Sequence, residues 1–203
     1  FRTRRIVDSD LADAVTGLKE IFRRRNLPAT FGKAEAPLID ALKKELRIPS
    51  RIRSFFLEAN PTSLETVTPV ERIRLIPAEE LKTALEAIKN PAEGAAPLDW
   101  KPSYVVIGES ALLSDPYFLD VSKPDPEGDC PVYTAESGSE RVRPVLVASS
   151  FAQFLRILEA AMDVATGFGD AIMDDEDEDA FREALGPKVK VIDVAALRAG
   201  HWT

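Results

Sequence analysis

Cysteine and histidine are nearly missing from this 203-residue chain: Cys130 and His201 are the only residues of their kinds. One cysteine cannot close a disulfide within the chain or build a cysteine-based zinc site there, and such usage suits a reducing compartment. No stretch approaches the roughly 18–20 continuous apolar residues of a membrane-crossing helix. The first ten residues, FRTRRIVDSD, are basic but have no apolar run after them, so a signal peptide is not expected there and a cytoplasmic location is. The G-x-x-x-x-G-K loop that cradles phosphates and the G-x-S-x-G elbow of serine hydrolases are both absent. No internal repeat of fixed period is found either. With these signatures missing, no enzymatic activity, catalytic residue, metal or cofactor is expected.

What is present is ordinary material for a soluble core. Hydrophobic residues make up 45% of the chain and charged residues 30%, too apolar for wholesale disorder. The formal net charge of -8 disfavours direct contact with nucleic acid or anionic lipid and is compatible with a basic protein partner. The charge is uneven. Up to Arg53 there are 13 Lys/Arg against 7 Asp/Glu, and the remainder holds 13 against 27. Two readings stand: helix faces that simply differ in their solvated charges, or an acidic contact surface on the C-terminal part.

Periodicity places helices first. Leu11, Val15, Leu18 and Phe22 lie on one face of a helix over 9–25, with Asp10 and Asp13 early and Arg23, Arg24 and Arg25 late, as the helix dipole favours. A Gly/Pro-marked loop with Gly32 follows, then helices over 37–47 and 49–59. Residues 61–70 read as a loop, Ile73 and Leu75 as a half-buried strand, and Pro77 as the opening of a helix with Leu81, Ala84, Leu85 and Ile88 inward. Residues 91–99 read as a loop. Short apolar runs at 104–107, 117–121, 132–134 and 142–147 then predict an antiparallel sheet with a polar loop over 123–131. Ser150 and Gln153 have capping-box spacing ahead of the stripe Phe151, Phe154, Leu155 and Leu158, a helix broken by Gly167 and Gly169. A short helix after the acidic run at 174–179 is expected to stop at Gly186-Pro187, with a strand over 189–191 and an aromatic anchor at Trp202. Segregated helices, sheet and helices predict one α+β domain, an antiparallel sheet flanked by helices, over 31–203, with residues 1–30 as an N-terminal helical extension.

The candidate chemistry is sparse. Asp115 and Asp120 bracket Tyr117-Phe118-Leu119. A carboxylate pair can do acid–base work, but turn-fixing bonds to backbone amides explain both more simply. His201 reads as an exposed terminal residue and Cys130 as a small apolar filler. The run Asp174-Asp175-Glu176-Asp177-Glu178-Asp179 reads as a solvated helix start or a patch for a basic partner, and it lacks the Gly and closing Glu of a calcium loop. The arginines at 23–25 are accounted for by the helix end.

Two stretches, taken together, resemble the SUKH superfamily, the SMI/KNR-like family. The first runs PLIDALKKELRIPSRIRSFFLEANP from Pro37 to Pro61: a helix, the Ile48-Pro49 step, and a helix ending Phe56-Leu57-Glu58-Ala59-Asn60-Pro61. The segment from Ile73 to Leu81 continues the match. The second spans Trp100 to Leu158, with Val106-Ile107-Gly108, Asp115-Pro116-Tyr117-Phe118-Leu119-Asp120, Pro131-Val132-Tyr133 and the Ser-capped Phe151–Leu155 helix. Ile192-Asp193 and Trp202 are similar to the family's ending. The chain departs in the turn after Tyr133, where Glu136, Ser137, Gly138, Ser139 and Glu140 replace the family's His-Gly and Trp, and at 110–114 and 123–130. The resemblance implies a SUKH-like α+β fold with no catalytic residues. It implies either a bacterial immunity protein that binds and neutralises a cognate toxin domain, often a nuclease, or an intracellular regulatory or scaffold module with an endogenous partner. The expected partner-binding residues are Asp115, Tyr117, Asp120, Asp125, Glu127, Asp129, Glu136, Asp174, Asp175, Glu176 and Asp177.

Overall fold

The structure, a computed structural model, describes residues 9–90, 99–137, 141–168 and 175–203. In chain order its elements are α1 (Ser9–Arg24), β1 (Ala29–Gly32), α2 (Ala36–Glu45), α3 (Ser50–Ala59), β2 (Asn60–Leu64), β3 (Ile73–Leu75), α4 (Leu81–Lys89), β4 (Tyr104–Ser110), β5 (Pro116–Asp120), β6 (Val132–Thr134), β7 (Val145–Ala148), α5 (Phe151–Val164), α6 (Asp175–Ile192) and α7 (Val194–Ala199). This is the expected single-domain α+β architecture. The expected loop over 91–98, residues 138–140 of the turn after β6, Gly169 and Asp174 lie outside the described residues.

The main sheet is an antiparallel meander in the order β3-β4-β5-β6-β7. Alternation along β5 sends Tyr117 and Leu119 to one face and Phe118 to the other. On the first face lies α5, whose Phe154 ring stacks on Tyr117 at 5.7 Å between centroids. On the second, Phe118 packs against Trp100, Tyr104 and Tyr133. All five β5 residues are buried as a result. The β4–β5 ladder is irregular between Val106 and Gly108. A Cβ on Gly108 would stand 3.1 Å from the Arg74 carbonyl, so the close approach of β3 there favours glycine.

Helix α5 is the hub of the core. Phe151, Phe154, Leu155, Ile157, Leu158 and Met162 are all buried. α1 packs along it, adding Leu11, Ala14, Leu18, Ile21 and Phe22 to the same hydrophobic cluster. Arg25 donates to the Val67 carbonyl at 2.7 Å, so the end of the basic run is used internally.

Five expectations are corrected. Part of the expected loop over 61–70 is strand β2, paired with β1, where a loop was also expected. Pro61 lacks an N–H, and the ladder slips between Thr30 and Phe31, the residue opposite Pro61. The sequence of this strand therefore looks like a turn. The strand expected over 142–147 begins only at Val145, because Pro144 has no donor for the ladder. The helix expected to stop at Gly186-Pro187 runs on to Ile192. Proline removes one helical hydrogen bond, but Leu185 and Val189 are buried on either side of it, and packing outweighs propensity. Residues 189–191 are accordingly helix. Val189 is fully buried and Val191 is 88% exposed, whereas a strand would put both on one face.

The tail is held down as expected. Trp202 is buried, and its indole N–H donates to the Val147 carbonyl at 2.8 Å. Trp202→Ala should lower stability by about 3–5 kcal/mol, as large-to-small changes at buried aromatics do, measured by urea unfolding. A loss below about 1 kcal/mol would show the tail to be undocked.

Candidate functional site

Loop 121–131 connects β5 to β6 and turns on its own carboxylates. Asp125 Oδ1 accepts from the Asp129 amide at 2.7 Å. The Asp129 side chain enters the core instead of facing solvent. Its Oδ1 accepts from the amides of Cys130 at 2.7 Å and Phe151 at 2.8 Å, and its Oδ2 from the amide of Ala152 at 3.1 Å. Ser150 takes the next amide, that of Gln153, at 3.1 Å. The capping expectation holds for Ser150, but the Gln153 side chain donates to the Ile192 carbonyl rather than back to the cap. The first three amides of α5, which a helix leaves without internal partners, are thus all satisfied by side chains. Arg51 Nη1, on α3, stands 3.6 Å from Asp129 Oδ2 in a buried pair. Burial pushes the Asp129 carboxyl up, while the amides and the guanidinium pull it down.

Other expected site residues are likewise internal. Asp120 is buried and accepts from the Ser122 amide and hydroxyl at 3.2 and 2.6 Å. Tyr117 is fully buried under α5. Asp115 accepts from the Ser137 amide at 2.7 Å, tying the β4–β5 turn to the segment after β6. Tyr117, Asp120 and Asp129 are therefore corrected from contact residues to internal ones, because all three are buried and their polar atoms are taken up by neighbouring amides and side chains. Cys130 is buried, and burial followed by the Asp129 charge pushes its thiol up to about 12, which suits a filler rather than a nucleophile.

The remaining acids fall at opposite ends of the sheet. Exposed Glu127 and half-buried Asp125 border a groove of about 660 Å³ that also takes in Asp10, Ser149 and Gln153. Exposed Glu136 lies at the other end, after β6. Asp175 and Glu176 belong to the first turn of α6, and Asp177 beside them is half-buried. Among the described residues no three His, Cys, Asp or Glu side chains gather as a metal site would require.

A second cavity, of about 230 Å³, opens at the Asp115 end. Tyr117 Oη donates to Glu71 Oε2 at 3.2 Å and meets His201 Nε2 at 3.1 Å. A phenol has one proton to give, so the His201 ring nitrogen is the donor to Tyr117. This corrects the reading of His201 as exposed. It is half-buried and in edge contact with Trp202, and burial followed by the nearby Arg182 lowers its pKa to about 4. The usable signal was the neighbouring Trp202, whose docking carries His201 inward. Glu71, which no motif marks, has its carboxyl raised by burial. Arg182 on the cavity wall is bound to Glu178 Oε1 at 2.9 Å and to the His201 carbonyl at 3.0 Å.

The profile of the SMI1 / KNR4 family (SUKH-1) matches residues 34–157 of the chain. The chain belongs to this family. A comparison with curated proteins gives no match. In SUKH-1 terms, loop 121–131 and its Asp125–Glu127 edge lie inside the matched segment. α1, α6, α7 and the tail lie outside it, so His201, Trp202 and Arg182 reach the second cavity from beyond the matched segment.

Asp129→Ala should cost about 3–5 kcal/mol, because it removes the buried carboxylate that faces Arg51 and leaves three amides without their acceptor, whereas Glu127→Ala should stay within about 0.5 kcal/mol. Urea unfolding of both variants checks this. The His201 shift has its own signature. The unfolded chain protonates near pH 6.5 and the folded one near 4, so stability should fall as pH drops through that window. His201→Gln should flatten the slope there, and an unchanged slope would contradict the buried, neutral imidazole.

Proposed function

We propose that this SUKH-1 chain is a non-catalytic immunity protein that binds a cognate toxin domain and neutralises it by occlusion. Family membership supports a role in protein recognition. The observation that carries the location is the groove beside loop 121–131, where Asp125 and Glu127 are presented by a loop anchored through Asp129 and Asp10 of α1 lines the same groove. A loop fixed in this way loses little entropy on binding, which favours affinity. Arg156 on the groove wall stands 3.5 Å from Asp10, and Arg51 faces Asp129, so the outward balance at Asp125 and Glu127 is negative. A basic partner, such as a nuclease domain with a phosphate-binding surface, complements it.

The carboxylates weighed for acid–base work support the same reading. Asp115 and Asp120 accept hydrogen bonds from backbone amides, which suits holding turns more than exchanging protons. No described helix is long and apolar enough to cross a membrane.

The test uses a toxin domain encoded beside the gene for this chain. Association should slow with added salt, and Asp125→Lys with Glu127→Lys should reduce the association rate by about tenfold or more. Unchanged kinetics in the double variant would exclude this face. Failure to protect cells expressing the toxin, despite a folded chain, would exclude the immunity role.

A further inference from the structure

The cavity at the Asp115 end has features the proposed toxin-binding role does not use. Its lining combines apolar Val70, Leu113, Leu158, Phe181 and Leu185 with the carboxylates of Glu71 and Asp115. The two acids are close enough for the Asp115 charge to oppose ionisation of Glu71. The one cation lining the cavity among the described residues, Arg182, has its charge already matched by Glu178. Glu71 Oε1 is shielded from solvent and has no hydrogen-bond partner, while Oε2 receives the single Tyr117 proton. The lining is therefore rich in negative charge, and one shielded carboxylate oxygen in it is left without a donor. At about 230 Å³ the cavity is below the roughly 300–1,000 Å³ of pockets for drug-sized ligands, so its occupant is small.

We propose that this cavity binds a slender aliphatic cation, an alkylammonium or alkylguanidinium group, with its stem against Leu113, Leu158 and Phe181 and its charge toward Glu71 and Asp115. A cation on a short apolar stem fills both needs of the site: it covers the apolar wall and brings a donor to Glu71 Oε1 and a positive charge to the two carboxylates. Leu113, 58% exposed, stands at the rim. Because α6 and the tail supply part of the wall, the site belongs to this chain's combination of family segment and C-terminal region. The cation can come from a free small molecule or from the arginine or lysine side chain of a protein.

Both sources can be tested on the full chain, since His201 gives a unique ring signal in proton NMR. Titration with n-butylguanidinium chloride and n-butylammonium chloride should shift the His201 signals saturably, and n-butanol at equal concentration should act far more weakly. Leu113→Arg, at an exposed position that leaves the fold alone, should weaken binding by about tenfold through like-charge repulsion, and Glu71→Gln should weaken it at least as much. If the blocked peptide Gly-Gly-Arg-Gly-Gly binds as well, the site accepts a protein side chain; if only the small cations bind, it serves a free ligand. No saturable shift, an equal response to n-butanol, or binding unaffected by both substitutions would overturn the proposal. None of these results bears on toxin binding at the Asp125–Glu127 face, so the two readings fail separately.

Discussion

The fold depends on one carboxylate placed where a helix needs it. Asp129 comes from the end of a long loop and satisfies the first two amides of α5, while Arg51 of α3 balances its charge. A helix N-terminus is an anion site by virtue of its free amides and its dipole, and here the anion belongs to the protein itself. The consequence is geometric. Loop, α3 and α5 are locked at one point, and α5 then carries α1 on one flank, α6 on another and the sheet through Phe154. Asp193 repeats the device at the other side of the same junction, accepting from Ser149 at its amide and hydroxyl and from the amides of Ala195 and Ala196.

This division of acids shapes the functional account. A chain with net charge -8 has many carboxylates to present, yet several of the most conspicuous in the sequence are internal clamps. Beside the clamp, Glu127 is exposed and Asp125 is half-buried with one oxygen holding the Asp129 amide, so this edge inherits rigidity from the core. Recognition by shape and charge needs that rigidity and needs no perturbed acid–base pair. At the opposite end, the Glu71–Tyr117–His201 chain and Asp115 build a different environment, a closed, charged pocket finished by the tail.

Much of the architecture was legible in the sequence. Helical periodicity located α1, α2, α3 and α5 within a residue or two and α4 with its start four residues early, because each has a clear apolar stripe, and short apolar runs bounded by turn residues located β4 to β7. What failed failed for shared reasons. Pro61 ends α3 as read but opens a strand in place of a loop, and Pro187 read as a stop although tertiary packing keeps α6 going through it. The site was less legible than the fold. Composition marks Asp129 and Asp120 as candidate contacts because an aspartate in a polar loop looks exposed; only the three-dimensional position of the α5 amides reveals that Asp129 points inward. His201 looked like a loose terminal residue, since nothing in its own spacing shows that Tyr117 waits beneath it.

The central claim is that Asp129 fastens the start of α5 and with it the loop that presents the acidic edge. Native-state hydrogen exchange at the amides of Phe151 and Ala152 addresses it directly, since first-turn amides of a helix are ordinarily the first to exchange. The account predicts protection at these two amides equal to that in the middle of α5, set by global unfolding. Exchange there as fast as at the exposed residues of the preceding loop would contradict it.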